Sequence, residues 1–294
     1  MLYYDIKEIK GNLIIEGLRD FNPKHIFECG QSFRWKKEDD SSYTAIANKR
    51  LINIKKQDDY IIVKNTNSDE WLNFWHGYFD LDRDYSYIKQ NLSYDLHLVK
   101  AMEFGEGMRL LNQDPFETTI SFIISSNNQI PRIKKSVELI SNDLGEYIGS
   151  FNSVDYYSFP NAEKIASLTD EYIKEKYRVG FRSKYILETS NKIAKGEFDL
   201  NEIWSLSYDK AKEKLMELPG VGPKVSDCIL LFAYKKQEAF PIDVWVNRVI
   251  KTLYLGESAT KKDIENSKTK LFGDFSGYAQ QYLFYYAREL GIGK

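Results

Sequence analysis

The chain has 294 residues, 43% apolar and 15% aromatic, with sparse Pro and Gly and a net charge of −2; this excludes a disordered chain and supplies core enough for two or three compact units. No run of about 18 uncharged apolar residues is present to span a bilayer, and the start, Met1-Leu2-Tyr3-Tyr4-Asp5-Ile6-Lys7, lacks a secretory h-region, so a cytosolic protein with no membrane partner is expected. Two cysteines, Cys29 and Cys228, cannot supply four cluster thiolates and fit no zinc spacing, and His25, His76 and His97 are scattered, so no metal or other cofactor is implied.

From Leu13 to Val63 short apolar bursts alternate with turns: Leu13-Ile14-Ile15, Ser32-Phe33-Arg34-Trp35, Tyr43-Thr44-Ala45-Ile46, Leu51-Ile52-Asn53-Ile54 and Tyr60-Ile61-Ile62-Val63. Gly11-Asn12, Glu38 to Ser42 and Gln57-Asp58-Asp59 punctuate them, which predicts an antiparallel sheet of hairpins, with a strand over Gln31–Trp35. After Asn67 the period changes to helical: Ser68-Asp69-Glu70 caps a helix through Trp71, Phe74 and Trp75. Asp114-Pro115 reads as an N-cap and a proline at the first helical position, opening a helix from Phe116 to Ser126 that is nearly apolar all round and hence central. The rest is mostly helical, closing with Tyr285 to Leu290 before Gly291, with no repeat or linker. The fold class is therefore α+β, a β-rich part over 1–113 followed by a helical part over 114–294.

Residues 218–243 carry the chemistry. Gly220 and Gly222 allow φ > 0 and close backbone approach, so a turn between two helices can present its amides to a phosphate oxygen. Pro223 starts the next helix and places Lys224 in its first turn, where the helix dipole and any burial disfavour the charged amine; a neutral amine is a nucleophile. Asp243 precedes Val244-Trp245-Val246 as an N-cap, and in isolation would be no more than that. A net charge of −2 argues against wrapping nucleic acid chiefly by counterion release, yet Lys174 to Arg178 and Arg182-Ser183-Lys184 leave a local basic groove feasible.

The combination of Gly-rich hairpin, Lys224 and Asp243 resembles the signature of the helix-hairpin-helix DNA glycosylase superfamily. Gly30-Gln31-Ser32-Phe33-Arg34-Trp35, Tyr78-Phe79-Asp80-Leu81, Gly107 to Pro115, Ser125-Ser126-Asn127-Asn128 and Gly277 to Phe284 are similar to blocks of its 8-oxoguanine glycosylase/lyase branch, in the same order. The resemblance implies a small TBP-like N-terminal domain, duplex DNA containing 8-oxoguanine opposite cytosine as partner, a monomer, and a bifunctional glycosylase and abasic-site lyase with Lys224 as nucleophile and Asp243 as its charge-stabilising partner. It further implies that the Gly30 carbonyl reads the N7–H of the lesion, that Phe284 and Cys228 sandwich the flipped purine, and that Gln280 reads its Watson–Crick edge. Asn127, Arg132 and Arg182 match positions that contact the estranged cytosine. Phe181 stands where eukaryotic members wedge a tyrosine into the duplex, Trp245 replaces a phosphate-contacting histidine, and Gln129 replaces the third asparagine of an Asn-Asn-Asn run.

Two other readings remain open at this point. A glycosylase for an alkylated purine is disfavoured by Gly30, Gln280 and Phe284 together. A noncatalytic DNA-binding module is disfavoured by Lys224 with Asp243, because a phosphate grip requires neither.

Overall fold

Six strands between Asp5 and Lys64 make one antiparallel sheet: β1 (Asp5–Ile9), β2 (Asn12–Glu16), β3 (Trp35–Lys37), β4 (Tyr43–Ala47), β5 (Arg50–Gln57) and β6 (Tyr60–Lys64), in spatial order β1-β2-β6-β5-β4-β3. Register follows the apolar alternation: Leu13 lies opposite Val63 and Ile15 opposite Ile61, all four buried on one face. Against that face packs an aromatic cluster of Phe27, Trp71, Trp75 and Phe79, every member at most 1% exposed. The computed structural model describes residues 3–293; Met1 and Leu2, where the expected non-secretory start begins, and Lys294 lie outside the described residues.

Three local expectations are corrected. The predicted strand over Gln31–Trp35 is a loop as far as Arg34, because Gln31, Ser32 and Phe33 are buried in succession and cannot alternate between two faces. The helix after Asn67 is capped by Asn67 itself, whose side chain accepts from Glu70 N–H at 2.8 Å, and it passes through a π turn at Trp71–Trp75. A separate two-stranded hairpin, β7 (Tyr147–Phe151) with β8 (Val154–Tyr157), interrupts the helical part, and Gly149 in it comes against Leu51 of β5.

The helical part has its own core. Asp114 caps the helix Pro115–Ser125, accepting from Glu117 N–H at 2.8 Å, and that helix is buried from Thr118 to Ile124. It packs on the helix Pro223–Ala233, with the Phe122 and Phe232 rings stacked at 5.5 Å. Two buried polar side chains brace the β-rich part from within. The Gln31 amide donates to Ile26 O and Arg109 O and accepts from Leu111 N–H, and the Arg109 guanidinium donates to the carbonyls of Asp20 and Asp80. Hence the Gly30-Gln31 and Gly107 to Pro115 blocks are braces that hold one loop in place. Among the described residues no helix is long and apolar enough to cross a membrane.

Candidate active site

The helix Tyr208–Leu215 and the helix Pro223–Ala233 are joined by a turn in which Gly220 has φ +81°. A Cβ there would also lie 2.7 Å from Tyr185 Cβ, so glycine is required twice over. Gly222 differs from expectation: it is the N-cap at φ −97°, with open space where a Cβ would stand. What glycine supplies at 222 is a bare approach to the backbone. Val221 N–H is used internally, bonding Leu218 O, while the amides of Gly220 and Gly222 have no hydrogen bond among the described residues.

Pro223 is the first helical residue, and Lys224 follows half-buried, its Nζ 3.2 Å from Ser125 Oγ and 5.1 Å from the centre of the Phe122 ring. Asp243 caps the helix Val244–Ile250, with Oδ1 accepting from Val246 N–H at 2.8 Å. Burial raises its carboxyl above the ordinary range, although the Val246 amide and the charge of Lys224 pull the other way. Cys228, one helical turn after Lys224, is 3% exposed, and burial pushes its thiol up to about 11, which keeps it an uncharged soft surface.

These groups meet in one place. Gly30, Lys224, Cys228, Asp243, Gln280 and Phe284 line a single pocket of about 50 Å³. That is far below the ~150 Å³ cavity known to hold a benzene, so a purine cannot enter as the side chains stand. Phe284 closes against Gly30, its ring atom Cε1 3.0 Å from the position a Cβ on Gly30 would take. Gly30 has φ +86°, and a larger residue would collide with that ring. Gln280, 4% exposed, leaves its Oε1 buried without a hydrogen bond.

The pocket opens into a groove of about 1180 Å³ walled by Asn127, Gly220, Gly222, Lys224, Asp243 and Trp245. Arg248, Lys251 and Lys261 also line it, set against Asp243 and Glu265, so the local positive charge comes from residues the sequence reading passed over. Arg248 lies 5.5 Å from the Trp245 ring. Asn127 is exposed with φ +49°, Phe181 is 60% exposed, and Arg132 is exposed in the first turn of the helix Ile130–Leu144. Arg182 is set differently. It is 8% exposed, and its guanidinium is held by the carbonyls of Ser126, Asn127 and Val179. A buried guanidinium keeps the acceptors that satisfy it. In this structure Arg182 therefore shapes the Asn127 loop instead of presenting its charge to the groove.

Sequence reasoning missed Ser125, Phe122, Gln281 and Arg288. Gln281 donates to Cys29 O at 2.8 Å and Arg288 donates to Glu28 O, so the helix Ser276–Leu290 grips the two carbonyls just before Gly30. The available signal was helical spacing, since Gln280, Phe284 and Arg288 recur every fourth residue on one face.

Comparison with known proteins supplies independent findings. Residues 13–119 match the 8-oxoguanine DNA glycosylase N-terminal domain, and residues 120–273 match the HhH-GPD superfamily of base excision DNA repair proteins. The probable N-glycosylase/DNA lyase of Methanothermobacter thermautotrophicus is 34% identical over 73% of this chain and 72% of its own. The N-glycosylase/DNA lyase of Arabidopsis thaliana is 31% identical over 88% and 75%. The crystal structure of Clostridium acetobutylicum 8-oxoguanine glycosylase/lyase, in complex with double-stranded DNA containing cytosine opposite 8-oxoguanine, superposes with a TM-score of 0.95 at 42% identity, covering 99% of this chain and all of that one.

Proposed function

Since this chain belongs to the HhH-GPD superfamily of base excision DNA repair proteins, and within it to the 8-oxoguanine glycosylases, we propose that Lys224 and Asp243 carry its glycosylase and lyase chemistry on a nucleotide flipped into the Gly30 pocket. The enzyme is a bifunctional DNA N-glycosylase and abasic-site lyase. The observation that carries the residue assignment is the convergence of an amine, a raised carboxyl, a glycine edge, an aromatic face and a thiol on one small pocket at the end of a basic groove.

The reacting C1′ atom is inaccessible within stacked DNA, so the nucleotide leaves the helix first. Backbone amides at Gly220 and Gly222 hold a phosphate, Phe181 fills the vacated stack, and Phe284 moves off Gly30 to lie on one face of the base while Cys228 faces the other. Lys224 Nζ then attacks C1′, and the base departs with the electron pair of the glycosidic bond. Asp243 receives the proton that the attacking amine sheds and stabilises positive charge at the sugar. Sugar-ring opening gives an iminium at C1′, which acidifies the C2′ proton; its loss expels the 3′ phosphate by β-elimination and nicks the strand.

Selectivity follows from the edge of the base. The Gly30 carbonyl accepts from N7–H of 8-oxoguanine and would meet a bare acceptor on guanine. The preferred partner strand carries cytosine, contacted by Asn127 and Arg132 on a loop that Arg182 shapes, and the protein works as a monomer. Lys224→Gln tests the core of the mechanism: base release and borohydride trapping are lost while lesion DNA still binds, because the hairpin amides are unchanged. Excision by Lys224→Gln at near wild-type rate would refute the assignment.

A further inference from the structure

Three polar groups in or next to the base pocket have no hydrogen-bond partner among the described residues. They are the Gly30 carbonyl, Gln280 Oε1 and Arg288 Nη1, and the last two are buried. The first two are acceptors and belong to the reading above. Arg288 Nη1 is a donor on a cation, and nothing so far uses it.

Its surroundings are well defined. Arg288 Nη2 donates to Glu28 O and to Glu289 Oε1, the latter at 2.7 Å, which fixes the plane of the guanidinium. The group stacks 5.3 Å from the Phe284 ring and leaves Nη1 2.8 Å from where a Cβ on Gly30 would be. A buried donor on a cation left unpaired is costly, and this one sits against the Phe284 ring beside Gly30. Displacing the Phe284 ring thus opens a place beside Gly30 where Arg288 Nη1 is an unused donor and the Gly30 carbonyl an unused acceptor.

8-Oxoguanine carries the complementary pair side by side: N7–H donates and the adjacent O8 accepts. Its other acceptor on that flank, O6, is served by the Gln280 amide, which offers a donor beside its acceptor and so matches O6 with N1–H. O8 is the acceptor left over. We propose, on the basis of the 8-oxoguanine reading above, that Arg288 is a specificity-determining residue whose Nη1 donates to O8 of the lesion once Phe284 has swung clear of Gly30. Guanine presents C8–H at that point, so the same cation that pairs with the lesion is left unpaired by the normal base.

The test replaces O8 without touching N7–H. Duplexes with 8-oxoguanine or 8-thioguanine opposite cytosine are compared in single-turnover excision, since sulfur is a weak acceptor and N7–H is retained. Wild type is expected to excise the oxo base about 10- to 150-fold faster, the range for one charge-assisted hydrogen bond. Arg288→Met brings the ratio towards one, with the loss falling on the oxo substrate, and Arg288→Lys restores part of it because an ammonium still donates. Equal wild-type rates on the two substrates overturn the proposal without any variant having to fold. A wild-type ratio that persists in Arg288→Met overturns it as well. Borohydride trapping of wild type on the 8-oxoguanine duplex separates the two levels: absence of any adduct defeats the glycosylase/lyase reading itself, whereas an adduct with an unchanged ratio defeats only the role of Arg288.

Discussion

Asp243 Oδ1 is committed to Val246 N–H at 2.8 Å, so the start of the helix Val244–Ile250 decides how the carboxylate sits relative to Lys224. Asparagine caps a helix about as well as aspartate, and burial already disfavours the charged carboxylate. Asp243→Asn should therefore melt within about 0.5 kcal/mol of wild type while excision falls by ~10²–10⁴, the usual worth of a positioned acid or base. Because the folded carboxyl is raised, the carboxylate needed to accept the lysine proton forms only as pH climbs past the ordinary carboxylate range; wild-type excision should rise along that limb and the variant should not. Undiminished excision by a normally folded Asp243→Asn would leave the residue as a cap alone. That Lys224, Asp243 and Gly30 line one pocket was legible, Lys224 and Asp243 from their places at helix starts and Gly30 from the family resemblance. Arg288 was not, since an arginine in the last turn of a helix looks like any solvated charge, and only folding brings Glu28 O beneath it.

Helix starts with a cap and a proline, at Asp114-Pro115 and Gly222-Pro223, could be read directly, because the signal sits in adjacent residues. Strand β1, with one partly buried residue in five, carries no alternation to read, and hairpin β7/β8 lies within a stretch otherwise helical. The loop at Asn127 was legible as a motif but not as a mechanical unit. Its left-handed residue and the carbonyls of Ser126 and Asn127 are held by Arg182, more than 50 positions away, which is a long-range bond that no local pattern encodes. This separates two arginines that look alike in sequence. Arg132→Met should narrow the preference for cytosine over thymine, guanine and adenine without altering the melting temperature, at a cost of about 1–3 kcal/mol for a lost base-edge contact. Arg182→Met should lower both, because three carbonyls lose their donor. Excision opposite all four bases, with melting curves for each variant, checks the pair; an unchanged preference in Arg132→Met would return that residue to the solvated surface.

The molecule as a whole is two cores, one beneath the sheet and one among the helices, and the division into a β-rich and a helical part was visible in the change of apolar period after Asn67. What joins the parts was not visible, because Arg34, Glu117, Gln281 and Arg288 are polar residues that sequence patterning assigns to the surface. Arg34 and Glu117 show what that junction entails. Arg34 follows the Gly30 loop and donates to Tyr157 O of β8, while Glu117 lies in the first turn of the helix Pro115–Ser125, its Oε2 3.7 Å from Arg34 Nη1. Both side chains are largely buried at 8% and 18% exposure, and burial outweighs the pull of Arg34, pushing the Glu117 carboxyl up to about 7. The folded protein thus holds a proton on Glu117 that the unfolded chain releases at about 4.3. Between those two values the native state binds more protons, so stability falls as pH rises from about 4.5 to about 7 and then levels, by about 3 kcal/mol from this residue. Glu117→Gln removes the ionisable group and keeps a hydrogen-bonding amide beside Arg34. Denaturant unfolding at pH 5 and pH 8 should show wild type losing ground to Glu117→Gln as pH increases, since every other titrating group is common to both chains. Parallel pH profiles for the two proteins would mean that Glu117 ionises in the fold as it does in water, and that the junction between sheet and helices carries a full ion pair at neutral pH.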